Sequence, residues 1–236
     1  MEGMSTIDEF RQLRKRLRNV EGLMVPGTLT SKTANPGLGP RPHRDPSGHA
    51  TQDSTLVGRL AGINAESSLS EEVYQLLQSK PGEVYGACQI FFQNVHKWMP
   101  IISQKLFYLR MTKFSKTGQT DFALLLLSIL LLIHYPTMDT RPEPLYEIVK
   151  TIYWQLNASA TASIETVQAG LLLACYEYGS GLIQACYGTT GLCARMGCWM
   201  GLHNQGPPSD LPKGSDAWVE SAERCNVWWG ILIRDR

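Results

Sequence analysis

Beyond residue 70 the apolar positions of this chain recur at helical intervals, and no stretch alternates with the period of two that a half-buried strand needs. Val84, Ala87, Phe91 and Val95 line one helix face, and Pro100 ends that run after Trp98. Phe122 to Ile133 is a run of twelve mostly apolar residues, with Asp121 before it and Pro136 shortly after. A membrane-spanning helix needs about 20 apolar residues to cross about 30 Å of hydrocarbon. A mid-chain run this short predicts a core helix packed by protein on every side, with Asp121 as its N-cap and no membrane partner. Pro142 and Pro144 suit the first turn of the next helix, which continues to about Leu156 with Leu145, Ile148, Ile152 and Leu156 on one stripe. Ser163 is the expected N-cap of another, with Glu165 favoured by the helix dipole and Val167, Leu171, Ala174 and Tyr178 facing inward. Gly179 and Gly181 punctuate its end, and a further helix to about Leu202 returns as an antiparallel hairpin. A Gly-Pro loop at 206–212 precedes a last helix carrying Val227, Trp228, Ile231 and Leu232. The fold predicted for 71–236 is all-α, a multi-helix domain of antiparallel helical hairpins.

The first 70 residues read differently. Within 1–25, Phe10, Leu13, Leu17, Val20 and Met24 fall at intervals of 3 and 4, the seam of a short coiled coil. Arg11, Arg14, Lys15, Arg16 and Arg18 lie off that seam as a basic patch, read first as a solvated helix face and second as a nuclear-import or phosphate-contacting patch. The seam predicts a homo- or heterodimer through residues 5–24. Residues 26–70 are rich in Gly, Pro, Ser and Thr without an apolar period, which predicts a flexible linker. His43, His49 and Asp45 inside it are too few to suggest a metal site.

Composition narrows the chemistry. A chain of 236 residues with 43% hydrophobic and 18% charged residues has enough apolar matter for a sizeable core. A net charge of +1 excludes a global basic field for nucleic acid or anionic lipid. No apolar leader opens the chain. The six cysteines stand at 88, 175, 186, 193, 198 and 225 without one C-x-x-C pair, so neither structural zinc nor a disulfide scaffold is expected. They read as reduced thiols used as small hydrophobes. Phosphate loops, dinucleotide fingerprints, HExxH and GxSxG are all absent, so no catalytic, cofactor-binding or metal-binding residue is assigned and no enzyme is expected. Gly188-Thr-Thr-Gly191 falls inside helical pattern and reads as close packing, not as a nucleotide loop. His96, His134 and His203 stand apart as helix-end or packed residues, and the sequon Asn157-Ala-Ser159 matters only in a secreted chain.

Three segments carry a resemblance: IFFQNVHKWMPIISQKLF (90–107), ASIETVQAGLLLACYEYGSGLIQACYGTTGLCARMGCWMGLH (162–203) and ERCNVWWGILIRDR (223–236). In this order they resemble the fungal-specific transcription factor domain, the helical middle homology region of fungal binuclear zinc cluster transcription factors. In the second segment the likeness rests on Ser163, Glu165, Val167, Gln168 and Ala169 at its start and Arg195, Met196, Gly201, Leu202 and His203 at its end. The resemblance implies a nuclear regulator of transcription, with secondary-metabolism genes a common target class, and zinc and DNA binding in full-length relatives. This sequence departs from the family in having no cysteine before Cys88, and it stops at Arg236, where the family domain usually continues. Zinc is therefore expected only in a full-length relative, and DNA contact only through a partner or a missing module. The alternatives are an all-helical interaction protein that dimerises with an intact family member, and a degenerate fragment without function.

Overall fold

The computed structural model of the protein describes residues 69–134, 144–158 and 163–235, except the side chains of 69–70 and 115–117. The coiled-coil seam, the basic patch and the linker through residue 68 lie outside the described residues. Within them the fold is all-helical: α1 (Leu69–Ser79), α2 (Pro81–Asn94), α3 (Gln104–Thr117), α4 (Thr120–Ile133), α5 (Pro144–Ala158), α6 (Ile164–Gly179), α7 (Ile183–Trp199), a 3-10 turn (Leu202–Asn204) and α8 (Asp216–Arg234).

Helix α4 is the apolar run, and it is the hub. Every residue from Phe122 to Leu132 is buried, because α1, α2, α3, α5 and α6 all pack against it. Its start differs from expectation. Gln119 is the N-cap and contributes no capping side chain, while Asp121 lies inside the first turn and accepts from the Phe122 N–H at 2.9 Å. The cause is local. Gly118 ends α3 at a φ of 59°, in the left-handed region, and reverses the chain soon enough for the next helix to begin at Thr120. Asp121 still places its charge where the helix dipole favours it.

Helix α6 also differs from its sequence reading. An inward stripe of Val167, Leu171, Ala174 and Tyr178 was expected, but the whole stretch Thr166–Glu177 is buried and Tyr178 is half-exposed. A second element is thus enclosed on all sides, between α4 and α7, with α5 and α8 also against it. Ser163 caps it as expected, its hydroxyl accepting from the Thr166 N–H at 3.2 Å. Helix α7 runs back antiparallel, which brings Cys193 beside Gly170 and Val167. Gly170 makes that approach possible, since a Cβ there would lie 2.6 Å from both the Cys193 Sγ and the Tyr153 hydroxyl. Gly188 and Gly191 are helical as expected, but a Cβ on either meets nothing within 4 Å. Close packing is therefore not their role: they lie on the outer side of α7, away from α6. No described helix is long and apolar enough to cross a membrane.

Candidate functional site: a clamp between three segments

The turn after α2 bonds the N–H groups of Val95, His96, Trp98, Met99 and Ile101 to nearby carbonyls, and residues far along the chain match the Pro100 and Ile101 carbonyls and the Ser103 N–H. Val95, Met99, Ile101 and Ile102 are buried there, so the polar backbone between them must be matched inside the protein. The Pro100 carbonyl accepts from Asn226 Nδ2 of α8 at 3.1 Å. The Ile101 carbonyl accepts from Gln168 Nε2 of α6 at 2.8 Å. The Ser103 N–H donates to Glu223 Oε1 of α8 at 2.8 Å. That carboxylate also sits at the start of α3, where the helix dipole favours negative charge.

Arg110, two turns into α3, completes the arrangement. Its Nη2 donates to Glu223 Oε2 at 2.8 Å, and its Nε lies 3.1 Å from Glu165 Oε1. One guanidinium thus joins α3 to carboxylates on α6 and α8. The Glu223 side chain is 1% exposed, and the Glu165 and Arg110 side chains are mostly covered. Burial holds the Glu165 carboxyl above its ordinary range, with the Arg110 charge pulling the other way.

A second buried cluster joins α5, α6 and α7. Glu177, fully buried, accepts from the Tyr146 hydroxyl at 3.0 Å and from Lys150, which also donates to Thr189 Oγ1 at 2.8 Å. Burial, and then the Glu177 charge, raise the Tyr146 phenol well above its usual range and keep it a donor. Neither cluster places a nucleophile beside a general base. Each is an ionic joint between helices.

The cysteines behave as small buried groups apart from Cys198, which is exposed. Burial pushes the Cys88 and Cys193 thiols up to about 12, and raises Cys175 despite the opposing Arg234 charge. Neutral thiols of this kind are poor nucleophiles and poor metal ligands. Among the described residues no three His, Cys, Asp or Glu side chains are grouped as a metal ion would require. His96 packs on the Phe92 ring, His134 ends α4 with Nδ1 3.0 Å from the Leu130 carbonyl, and His203 lies against Trp228.

Reading the chain by residue type missed Arg110, Lys150, Glu177 and Glu223 as a set. Their partners lie from 27 to 120 positions away, and no local spacing signals such a pairing. The converging segments were nonetheless visible as stretches of sequence. Asn226 and Glu223 belong to the third, Gln168 and Glu165 to the second, and Pro100, Ile101 and Ser103 to the first.

Comparison with known proteins covers the same ground. Residues 88–236 match the fungal specific transcription factor domain. The chain is 38% identical over 137 residues to a protein of Botryotinia fuckeliana (strain B05.10) named Transcription factor BOA15, a stretch covering 57% of this chain and 75% of that protein. No solved structure matches the chain significantly.

Proposed function

The chain belongs to the fungal specific transcription factor domain family, and on that premise we propose that it regulates transcription in the nucleus, with the helical unit as its regulatory part. The observation that carries this reading is the family match over 88–236, which contains all three segments meeting at Arg110 and Glu223. The name of the Botryotinia relative points the same way. Secondary-metabolism genes are the proposed target class. None of the six cysteines precedes Cys88, so contact with DNA, and any zinc it needs, belongs to a partner or to a module outside this sequence. The family is not an enzyme class, and the proposal includes no reaction.

The test is tethering. The chain fused to an unrelated DNA-binding module should move a reporter, up or down, in a fungal host. A well-expressed nuclear fusion that leaves output unchanged overturns the reading. A fluorescent fusion should accumulate in nuclei, and less so when Arg11, Arg14, Lys15, Arg16 and Arg18 are replaced by glutamine. A second reading, an interaction protein pairing with an intact relative through residues 5–24, is favoured by the Phe10–Leu13–Leu17–Val20–Met24 seam. Loss of reporter activity on Leu13→Ala with Leu17→Ala, in a fusion still nuclear and folded, would favour that reading.

A further inference from the structure

Helix α8 is attached differently from the helices it covers. Of its nineteen residues only Val227 and Ile231 join the main apolar core, with Trp228 packed beside them. Most of its other attachments are polar. Glu223 meets the Ser103 N–H and Arg110, Asn226 Nδ2 donates to the Pro100 carbonyl, and Arg224 Nη2 donates to the Met200 carbonyl at 3.0 Å. Lys105 pairs with Asp216 at 2.8 Å, and Arg234 reaches the Cys175 sulfur. Hydrogen bonds of this kind fix the register of a helix, but water replaces most of them when the helix leaves. The buried ion pair behaves alike, because separation returns both charges to water and recovers the cost of desolvating them. Few apolar contacts and many replaceable polar ones mark the element of a fold that opens before the rest. The connection to α8 allows it. Residues 206–214 are mostly exposed, and the Ser209 and Ser215 N–H groups bond back to Pro207 and Pro212 within the segment.

We propose that α8 is a detachable helix, which leaves its seat reversibly and as one unit while α4 and α6 stay folded, with the Arg110–Glu223 contact as its latch. Two glycines outline the seat. A Cβ on Gly230 would lie 2.8 Å from Ile101 Cγ2 and 3.3 Å from Leu171 Cδ1, and one on Gly197 would lie 2.7 Å from Ile231 Cδ1. Departure of α8 therefore uncovers Ile101, Leu171 and Gly197 and frees Arg110 of its Glu223 contact. The fold then has two states, seated and released, and anything that binds only the uncovered seat shifts the balance between them.

Release of α8 is independent of the regulatory reading, and its test reads hydrogen exchange and not transcription. In the full native chain, amides of 216–234 should exchange at least about tenfold faster than those of 122–132. Their exchange should also depend less steeply on urea, since a partial opening exposes less surface than global unfolding. Equal rates and equal urea slopes in the two segments overturn the proposal. A covalent lock separates release of the whole helix from fraying. Ile101→Cys with Gly230→Cys brings two Cβ atoms within disulfide reach, and the close contact at Ile101 Cγ2 disappears with that side chain. Cys198→Ser removes the exposed native thiol. Oxidised against reduced, this variant should slow exchange at least about tenfold along all of 216–234, including the turn around Glu220 far from the link. Slowing confined to the residues next to 230 means fraying and overturns the proposal. If the variant does not fold, the native-chain comparison decides alone.

Discussion

Helix α4 buries eleven residues and helix α6 twelve, and both are enclosed by other helices. What differs is the means of holding them. In α4 the buried polar side chain is Ser128, and its hydroxyl returns to the Leu124 carbonyl of the same helix. In α6, Gln168 reaches the Ile101 carbonyl 67 residues away, and Glu177 binds Tyr146 and Lys150 of α5. Apolar burial has no direction. It drives neighbours onto α4 without selecting their register. A buried carboxylate or amide must find its partner at hydrogen-bond distance, so α6 fixes how α3, α5, α7 and α8 sit. One helix makes the core, and the other orients what surrounds it.

The largest expected effect tests the orienting role. Arg110→Ala leaves Glu223, with a side chain 1% exposed, holding the Ser103 N–H but no opposite charge, and removing one partner of a buried pair costs about 3–5 kcal/mol. Urea unfolding measures it. Converting Glu165 and Glu223 to glutamine in the same chain should recover most of the loss. Failure to recover would mean that the arginine acts through packing alone.

Next comes the core-making helix. Leu127 is 0% exposed, and Leu127→Ala should cost about 2–5 kcal/mol, while Leu127→Met should cost less than about 1.5 kcal/mol. The two variants should differ in urea midpoint and agree in slope. A methionine as damaging as the alanine would show that α4 depends on exact shape, which would erase the contrast with α6.

Gly170→Ala probes the close approach of α6 to α7. The added methyl lies 2.6 Å from the Cys193 sulfur and the Tyr153 hydroxyl, and overpacking of this kind costs about 1–3 kcal/mol. Cys193→Ala should restore part of it. Thermal unfolding of the single and double variants checks the coupling.

The smallest effect is the pH dependence that α6 has and the apolar body of α4 lacks. Burial raises the Glu165 carboxyl above its ordinary value of 4.5. Between that value and the higher folded one, the folded state holds more protons than the unfolded, so this group's contribution to stability falls as pH rises through the window. Glu165→Gln removes that slope. The stability of the native chain relative to Glu165→Gln should therefore improve as pH is lowered from 7 towards 4.5. A difference that stays flat, or moves the other way, would show that the Arg110 pairing outweighs burial.

The sequence by itself was enough for α4, because eleven adjacent residues with no polar face have only one stable environment, the inside of a helical protein. It was enough for Ser163 as a cap and for the antiparallel pair α6–α7, whose signals are local: an oxygen at the right offset and a glycine, Gly181, at a φ of 78°. It misplaced the start of α4, where Gly118 acts before Asp121 can, and it read α6 as one-faced. The polar residues Gln168 and Glu177 look solvent-facing until their distant partners are known. Only the tertiary structure supplied those partners. Lys150 and Glu177 are 27 positions apart and Arg110 and Glu223 are 113, and nothing in local spacing distinguishes a charge destined for water from one destined for another helix. Periodicity records which side of a helix is apolar. Which polar groups meet across the core depends on the packing angles of several helices at once, and those are settled only when the chain has folded.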